Sequence, residues 1–411
     1  MSDSLDLSAL RRWPDIEAPN LVAVDAADRL LLDTAAVVLA TPTSGADSPD
    51  AVAPGSVAII GDAFGALTLG AVSLGASPVR VHQDPLLGER ALAANADRLG
   101  FSDSFTSLGL VPELVADASL VLLRLPKSLD QLDEWAALIA EHAVPDVVVL
   151  AGGMVKHMTL AQNDVLGRHF GEVRAGLARQ KARVLTASVC IRAARESASE
   201  TPSAGGHREA ERADRLGEAE WRSRWPKTAV IDPPGIMVSA HGGVFAGASL
   251  DIGTRFLLDH LADANPRATT AIDLGCGTGI LAAALASARP GLRVLASDQS
   301  AAAVASARET MKLNHLDDRV TVVRDDALGS LPDASAELIV LNPPFHSGTT
   351  VTADVGIRLI TDAARVLAPG GELRVVFNSH LRYQPTLRRL VGETRQVARN
   401  AKFTITSSLK S

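Results

Sequence analysis

The chain has 411 residues, of which 47% are hydrophobic and 21% are charged. This length fits two or three domains of ordinary size, and the composition excludes a disordered chain, because ample apolar surface can be buried. The net charge of −7 argues against a protein that coats nucleic acid through its whole surface.

No membrane or export signal is visible in the sequence. No apolar run reaches the roughly 18 residues of a membrane helix, and the first residues, MSDSLDLSALRRWPD, lack the basic-then-apolar pattern of a signal peptide. The two cysteines, Cys190 and Cys276, give neither a disulfide framework nor a cluster of metal ligands. We therefore expect a cytoplasmic protein with no membrane partner and no metal.

The first half of the chain alternates strand-like and helix-like segments. Helical patterns such as LDQLDEWAALIAEH separate short β-branched runs at 56–60, 78–84, 120–126 and 146–152. This alternation is typical of a parallel sheet with helices on both faces.

A polar segment follows and interrupts the alternation. Residues 193–220 are small, polar and charged, with no apolar period that could support a core. We interpret residues 193–228 as a linker or insertion between a domain at 1–192 and a domain at 229–411.

The second half repeats the alternation. Its strand-like runs lie at 269–273, 292–298, 319–326, 336–342 and 372–378, with Ala-rich helical patterns between them. The predicted fold class is therefore α/β, with two tandem, doubly wound, Rossmann-like domains.

The strongest chemical signal is AIDLGCGTGIL, residues 271–281. Gly275, Gly277 and Gly279 lack a Cβ, so the backbone can turn tightly between strand and helix and approach a ligand closely. A dinucleotide fold would place a third glycine where Ile280 stands. The sequence therefore argues against a pyrophosphate ligand.

Acidic residues around this turn indicate a cationic ligand. Asp273 would repel a phosphate but suits an ammonium or sulfonium group, as in S-adenosylmethionine. Asp298, after the next strand, is placed to hold two ribose hydroxyls, and Asp326, after the third, to meet the adenine amine. Cys276 lies inside the turn, where a small apolar side chain suffices, and we assign it no role as a nucleophile.

The stretch LNPPFH, residues 341–346, ends the fourth strand at the edge where open α/β sheets bind ligands. Pro343 and Pro344 stiffen the backbone, so the side-chain oxygen of Asn342 and a backbone carbonyl can both accept hydrogen bonds from one amino group. Phe345 offers a face for a flat base. His346 could position substrate or relay a proton, or could satisfy a local hydrogen bond. No general base is required, because the proton becomes acidic once nitrogen gains the methyl.

The C-terminal segment is basic. Residues 374–411 contain eight basic residues and one acidic residue. The segment could be an ordinary solvated face or an RNA-binding patch, and the candidate substrate-binding cations are Arg382, Arg388, Arg389 and Lys402.

DLGCGTG together with LNPPFH resembles the class I methyltransferases that act on exocyclic or amide nitrogens, and NPPFH resembles the bacterial rRNA guanine-N(2) methyltransferases. The segments 244–261 and 380–405 resemble the large-subunit (23S) branch more than the small-subunit (16S) branch. The resemblance extends to VDAADRLLLD, GDAFGAL and LPKSLDQLDEW in the first half, so it covers nearly the whole chain outside the polar segment.

The resemblance implies an enzyme that transfers a methyl from S-adenosylmethionine to the exocyclic amine of a guanine in rRNA. It implies that the asparagine and prolines hold the guanine amine, that Phe345 stacks on the base, and that the acidic residues hold the cofactor. Alternatives are a 16S rRNA substrate, methylation of DNA adenine or of a protein glutamine, and a non-enzymatic RNA-binding assembly factor. The adjacent pair Asp325 and Asp326 departs from the amides expected in the family, and so does the polar 193–220 segment.

The first half copies the spacing of the second without its chemistry. Gly61 and Gly65 are spaced as Gly275 and Gly279 are, and Asp84 follows Gly61 at the separation of Asp298 from Gly275, which suggests a duplicated domain. In this register Ile59 replaces Asp273, and Ala63 replaces Gly277. The first domain is therefore predicted to be degenerate and the second catalytic.

The resemblance gives the degenerate domain an RNA-binding or scaffolding role. Lys127, Lys156, Arg179 and Lys181 fall near its strand ends and could contact phosphates, or could be ordinary surface cations.

Overall fold

The computed structural model of the protein describes residues 5–40, 56–191, 225–343 and 350–411, with side chains from residue 355 onward in the last range. The chain divides into two compact units, Met1–Arg224 and Trp225–Ser411. No helix in these described ranges is long and apolar enough to cross a membrane.

The described part of the first unit forms one seven-stranded sheet with the order β3-β2-β1-β4-β5-β7-β6. Neighbouring strands are parallel up to β5, and β7 and β6 are antiparallel. Its strands are β1 Val57–Ile60, β2 Val79–His82, β3 Thr106–Ser107, β4 Leu120–Arg124, β5 Val148–Met154, β6 Phe170–Ala175 and β7 Ala182–Cys190. Its α-helices are α1 Ala26–Ala40, α2 Ala66–Ser73, α3 Leu86–Leu99, α4 Pro112–Val115, α5 Leu129–His142 and α6 Leu160–Leu166.

Both faces of this sheet are buried. Val57 and Ile59 of β1 pack with α1, α2 and α3, and Ala58 and Ile60 pack with α4, α5 and α6 on the other face. Burial on both sides explains why the parallel strands read as continuous apolar runs.

The second unit has a sheet with the same topology, in the order β12-β11-β10-β13-β14-β16-β15, and a separate hairpin of β8 and β9. Its strands are β8 Lys227–Ile231, β9 Ile236–Ala240, β10 Thr270–Leu274, β11 Arg293–Asp298, β12 Val320–Arg324, β13 Ala336–Leu341, β14 Leu367–Asn378, β15 Thr394–Arg399 and β16 Phe403–Leu409. Its α-helices are α7 Ile252–Leu258, α8 Ile280–Ala288, α9 Ala301–Leu313, α10 Thr350–Val366 and α11 Gln384–Leu390.

The two sheets confirm the predicted fold class of tandem doubly wound domains. In each unit the first strand lies where the strand order reverses, between the second and the fourth strand. Ligands of open α/β sheets bind at the carboxyl ends of strands at such a point. In the second unit the strands that meet there are β10, β11 and β13, which carry the predicted site residues.

Candidate active site

The glycine turn after β10 adopts left-handed backbone angles at all three glycines, with φ of +72° at Gly275, +53° at Gly277 and +80° at Gly279. A Cβ added at Gly275 or Gly277 would meet nothing within 4 Å. A Cβ at Gly279 would lie 2.8 Å from Met311 Cε on α9. The first two glycines therefore line open space, whereas Gly279 allows α8 and α9 to pack closely.

Asp273 is the second-last residue of β10 and is fully buried. Its Oδ2 accepts a hydrogen bond from Ala282 N in the first turn of α8 at 3.0 Å, and its Oδ1 has no hydrogen-bond partner in the described residues. Burial raises the pKa of Asp273 to about 7 against the opposing hydrogen bond from Ala282, and the charge of Asp298 adds to the rise. An unpaired buried carboxylate oxygen is costly without a donor or a cation.

Asp298, at the end of β11, is held by backbone donors on both oxygens. Its Oδ2 accepts from Gly277 N at 3.0 Å, and its Oδ1 accepts from Ser300 N at 2.9 Å. Each carboxylate oxygen accepts more than one hydrogen bond. The fixed carboxylate can therefore also receive the hydroxyls of a ribose.

The two acids after β12 differ in their surroundings. Asp325 is buried and closes its own loop, accepting from Asp326 N at 2.8 Å and from Ser330 Oγ at 2.7 Å. Asp326 forms an ion pair with Arg358 of α10, a partner that the sequence did not predict. Asp326, and not Asp325, is thus the acid that a ligand could reach.

Asn342 follows β13 directly, and its amide is held by two residues at the start of α7. Its Nδ2 donates to Asp251 Oδ2 at 3.2 Å and to Thr254 Oγ1 at 2.9 Å. Its Oδ1 is buried and has no hydrogen-bond partner among the residues described. Sequence reasoning missed Asp251 and Thr254, although an aspartate before IGTRFLL is a helix-capping signal.

The remaining residues of the motif are only partly described. Pro343 is buried, whereas Pro344, Phe345 and His346 lie outside the described residues, and their roles stay predictions. Cys276 is buried, and burial together with the charges of Asp298 and Asp273 raises the pKa of its thiol. A thiol of this kind is a poor nucleophile.

The structure divides the basic C-terminal segment. Arg374 is completely buried and paired with Glu372 and Asp263, so it is not part of a basic surface. Lys402 is exposed near the carboxyl end of β14, where its backbone oxygen accepts from Ser379 N at 2.9 Å. Arg382 is exposed at the same end, directly after Leu381.

The other two predicted cations lie farther from the site. Arg388 and Arg389 are exposed in the last turn of α11. This helix leads from the carboxyl end of β14 toward Gly392, which lies against Leu409, and Leu409 pairs with Glu372 in the middle of β14. The helix therefore places Arg388 and Arg389 farther from the carboxyl end of β14 than Arg382 and Lys402 are.

The corresponding turn of the first unit is filled by its own side chains. A Cβ at Gly61 would lie 3.1 Å from the Trp135 ring, and Gln83 Nε2 donates to the backbone oxygens of Asp62 and Ala63 at 2.9 and 3.2 Å. The sheet register corrects one expectation. Ile60 pairs with His82, and in the second unit Leu274 pairs with Ser297 in the same way. Gln83 comes directly after His82, as Asp298 comes directly after Ser297. Gln83, and not Asp84, is therefore the counterpart of Asp298.

The open glycine turn and the unpaired oxygen of Asp273 fit the sulfonium and ammonium of S-adenosylmethionine, at the reversal point of a doubly wound sheet. This combination defines the class, an S-adenosylmethionine-dependent methyltransferase. A family model described as Methyltransferase small domain matches residues 235–407, and one described as RLMG N-terminal domain matches residues 3–190.

Relatives named ribosomal RNA large subunit methyltransferase G match the chain over nearly its full length. The protein from Streptomyces avermitilis is 36% identical over 98% of this chain and 97% of its own, and that from Pseudomonas aeruginosa is 35% identical over 96% of each. The chain therefore belongs to the family of ribosomal RNA large subunit methyltransferase G. This membership confirms the resemblance seen in the sequence.

A solved structure has the same two-domain fold. The 16S rRNA N2 methyltransferase of T. thermophilus, in complex with AdoMet and guanosine, superposes with a TM-score of 0.67 over 94% of this chain and 92% of its own. At 20% identity it supports the fold alone.

Proposed function

We propose that this enzyme methylates the exocyclic amine of a guanine in large-subunit rRNA. The observation that carries the proposal is the unpaired, buried Oδ1 of Asn342 at the end of β13, at the same sheet edge as the turn that fits the cofactor. The names of the relatives support rRNA of the large subunit as the substrate.

In this proposal Asp273, Gly275, Gly277, Gly279, Asp298 and Asp326 hold S-adenosylmethionine, with Cys276 lining the turn. The cofactor would supply an electrophilic methyl group and leave as S-adenosylhomocysteine, and the methylated nitrogen would lose its acidic proton without a general base. Asn342 accepts a hydrogen bond from the guanine amine and so keeps the lone pair of the amine nitrogen directed at the methyl. The same hydrogen bond stabilises the positive charge that develops on that nitrogen. The backbone oxygen of Pro343, stiffened by Pro344, is the second acceptor, and Phe345 stacks on the base.

The proposed RNA-binding surface consists of two cations near the active site and two cations farther from it. We assign Lys402 and Arg382 to the RNA close to the target base, and Arg388 and Arg389 to phosphates farther along the strand. His346 would position substrate. The first domain, residues 1–192, would bind RNA or act as a scaffold, and the segment 193–228 would link it to the catalytic domain at 229–411. The proposal also places the protein in the cytoplasm, with naked rRNA or a ribosomal subunit precursor as its partner.

The test is methylation by the full-length protein of purified 23S rRNA, 16S rRNA and an adenine-containing DNA duplex, followed by mass spectrometry of the nucleosides. We expect N2-methylguanosine in 23S rRNA. Methylation of 16S rRNA alone, or of DNA adenine, would show that the proposed substrate is wrong. Mass mapping of rRNA from cells that lack the protein would then identify the nucleotide.

A further inference from the structure

We infer that Asp251 and Thr254 are positioning residues for methyl transfer, because they turn the amide of Asn342 so that its oxygen faces the substrate amine. The inference rests on the proposed role of Asn342 as a hydrogen-bond acceptor. It adds two residues at the start of α7, 91 and 88 positions before Asn342 in the chain, to the machinery of the reaction.

The contacts of Asp251 decide which way the amide points. Its Oδ2 already accepts from Gly253 N at 2.9 Å and from Thr254 N at 3.1 Å, as the N-terminal cap of α7. An ionised carboxylate only accepts hydrogen bonds, so it attracts the NH2 group of Asn342 and repels its oxygen. The orientation of an asparagine amide is in general ambiguous, but here a fixed acceptor determines it.

Thr254 completes the arrangement. Its Oγ1 accepts from the same NH2 group at 2.9 Å, so both hydrogens of the amide have acceptors on α7. Gly253, between the two, has no side chain, and a Cβ there would lie 3.3 Å from Asn342 Oδ1. In the observed orientation the amide therefore lies close against the start of the helix with both of its hydrogens paired.

The consequence concerns the substrate. With the NH2 group of Asn342 occupied, its Oδ1 remains as an acceptor for the hydrogen of an incoming amine. A flipped amide would present NH2 to NH2, lose the attraction, and leave a buried donor without a partner. Asp251 and Thr254 thus separate a productive from an unproductive arrangement of the same side chain.

The first unit supports this interpretation independently. Leu123 of β4 pairs with Ile60, and Leu341 of β13 pairs with Leu274 in the same way. Arg124 comes directly after Leu123, so it is the counterpart of Asn342. Arg124 is held by Asp25 and Asp28 at the start of α1, and Asp25 accepts from Ala27 N at 2.8 Å and from Asp28 N at 3.2 Å. In both units, residues at the same two helix positions hold the side chain that ends the fourth strand.

The chemistry of the holding residues differs with the side chain that they hold. In the first unit two carboxylates face a guanidinium, whereas in the second a carboxylate and a hydroxyl face a neutral amide. This matching indicates that the start of the helix serves to orient the residue at the strand end.

The experiment compares single variants of the full-length enzyme in rRNA methylation. Asp251→Ala and Thr254→Val should each lower kcat by about 10- to 100-fold, because a small misplacement of a reacting group is costly. Asp251→Asn and Thr254→Ser retain the accepting oxygens and should rescue most of the activity. Ile252→Ala, an exposed position on the same helix, is the matched control and should leave kcat unchanged. Calorimetry should give the wild-type affinity for S-adenosylmethionine in every variant.

A double-mutant cycle separates positioning from a general structural role. If Asp251 and Thr254 act through Asn342, their substitutions should cost nothing further in an Asn342→Ala background. An equal fold-loss in both backgrounds, or no loss in the wild-type background, would overturn the inference while leaving the proposed function in place. Wild-type turnover by Asn342→Ala alone would overturn the proposed function of that residue, and the inference with it. If Asp251→Ala does not fold, the Thr254 pair carries the test.

Discussion

Asp273 is fully buried beside the glycine turn, and its protonation should control the affinity for the cofactor. Its pKa is raised to about 7, so the ligand-free enzyme holds an increasing fraction of protonated Asp273 as the pH falls below that value. A cationic ligand favours the carboxylate, so binding at low pH must release the proton.

We therefore predict that the Kd of S-adenosylmethionine rises as the pH falls below 7, approaching tenfold per pH unit. Calorimetry in two buffers of different ionisation enthalpy should detect the released proton. The Asp273→Asn variant should bind S-adenosylmethionine more weakly, and its Kd should depend less on pH. A Kd that is constant from pH 7 down to about pH 5.5 would contradict the role of Asp273 in binding a cationic ligand.

Asn342 should affect turnover without affecting cofactor binding. Its Oδ1 is an acceptor that becomes important as positive charge develops on the substrate nitrogen, and removal of such a group typically costs about 10²-fold or more in kcat. We predict a loss of this size for Asn342→Ala in rRNA methylation, with a nearly unchanged Kd of S-adenosylmethionine by calorimetry. Unaltered turnover would refute the role.

At the scale of elements, Gly279 couples the cofactor turn to the packing of two helices. An alanine there would carry a φ of +80° and place its Cβ 2.8 Å from Met311 Cε and 3.2 Å from Ala307 Cβ. Gly370 has a nearly equal φ of +77° but meets nothing within 4 Å, so it isolates the cost of the backbone conformation.

Gly370→Ala should lower the free energy of unfolding by about 1 kcal/mol. Gly279→Ala should lower it by about 1 to 3 kcal/mol more, because the Met311 side chain must shift and the close contact with Ala307 of α9 must relax. Urea unfolding of both variants measures the difference. Equal losses would show that Gly279 is required for its backbone angle alone.

The sequence predicted the parallel strands well, because strands buried on both faces are short, continuous apolar runs between helical patterns. The predicted run at 56–60 corresponds to the strand Val57–Ile60, and the predicted run at 292–298 corresponds to the strand Arg293–Asp298. The antiparallel strands were missed. Thr394–Arg399, for example, has a single buried residue, Thr394, and four of its six residues are polar, so nothing in its composition separates it from a loop.

The same physical reason limits prediction of the site. Asp273, Asp298 and Asn342 were identified because each lies at or next to the carboxyl end of a strand that the sequence reveals. Asp251 and Thr254 were not, because their contact with Asn342 spans 91 and 88 residues and depends on where α7 packs. Arg358, which pairs with Asp326, was missed for the same reason.

At the scale of the whole molecule, the two units have the same strand order but different occupants at the reversal point. In the second unit the turn is open at Gly275 and Gly277. In the first, the Trp135 ring and Gln83 occupy the corresponding space, and Arg124 replaces the strand-ending asparagine. The first unit is thus degenerate because its pocket is filled, and not only because it lacks an acid at position 59.

We predict that one S-adenosylmethionine binds per chain and that Ile59→Asp does not create a second site. Ile59 is completely buried among the side chains of α1, α2 and α3, so an aspartate there would add a buried charge without opening the turn. We expect calorimetry to give a stoichiometry near one for both proteins and thermal unfolding to show that Ile59→Asp is destabilised. In an Asp273→Ala variant the remaining binding should weaken strongly, because no other turn in the described residues of either unit combines open glycines with an unpaired buried acid. Two molecules of cofactor bound per unmodified chain would contradict the assignment of the first unit as a degenerate domain.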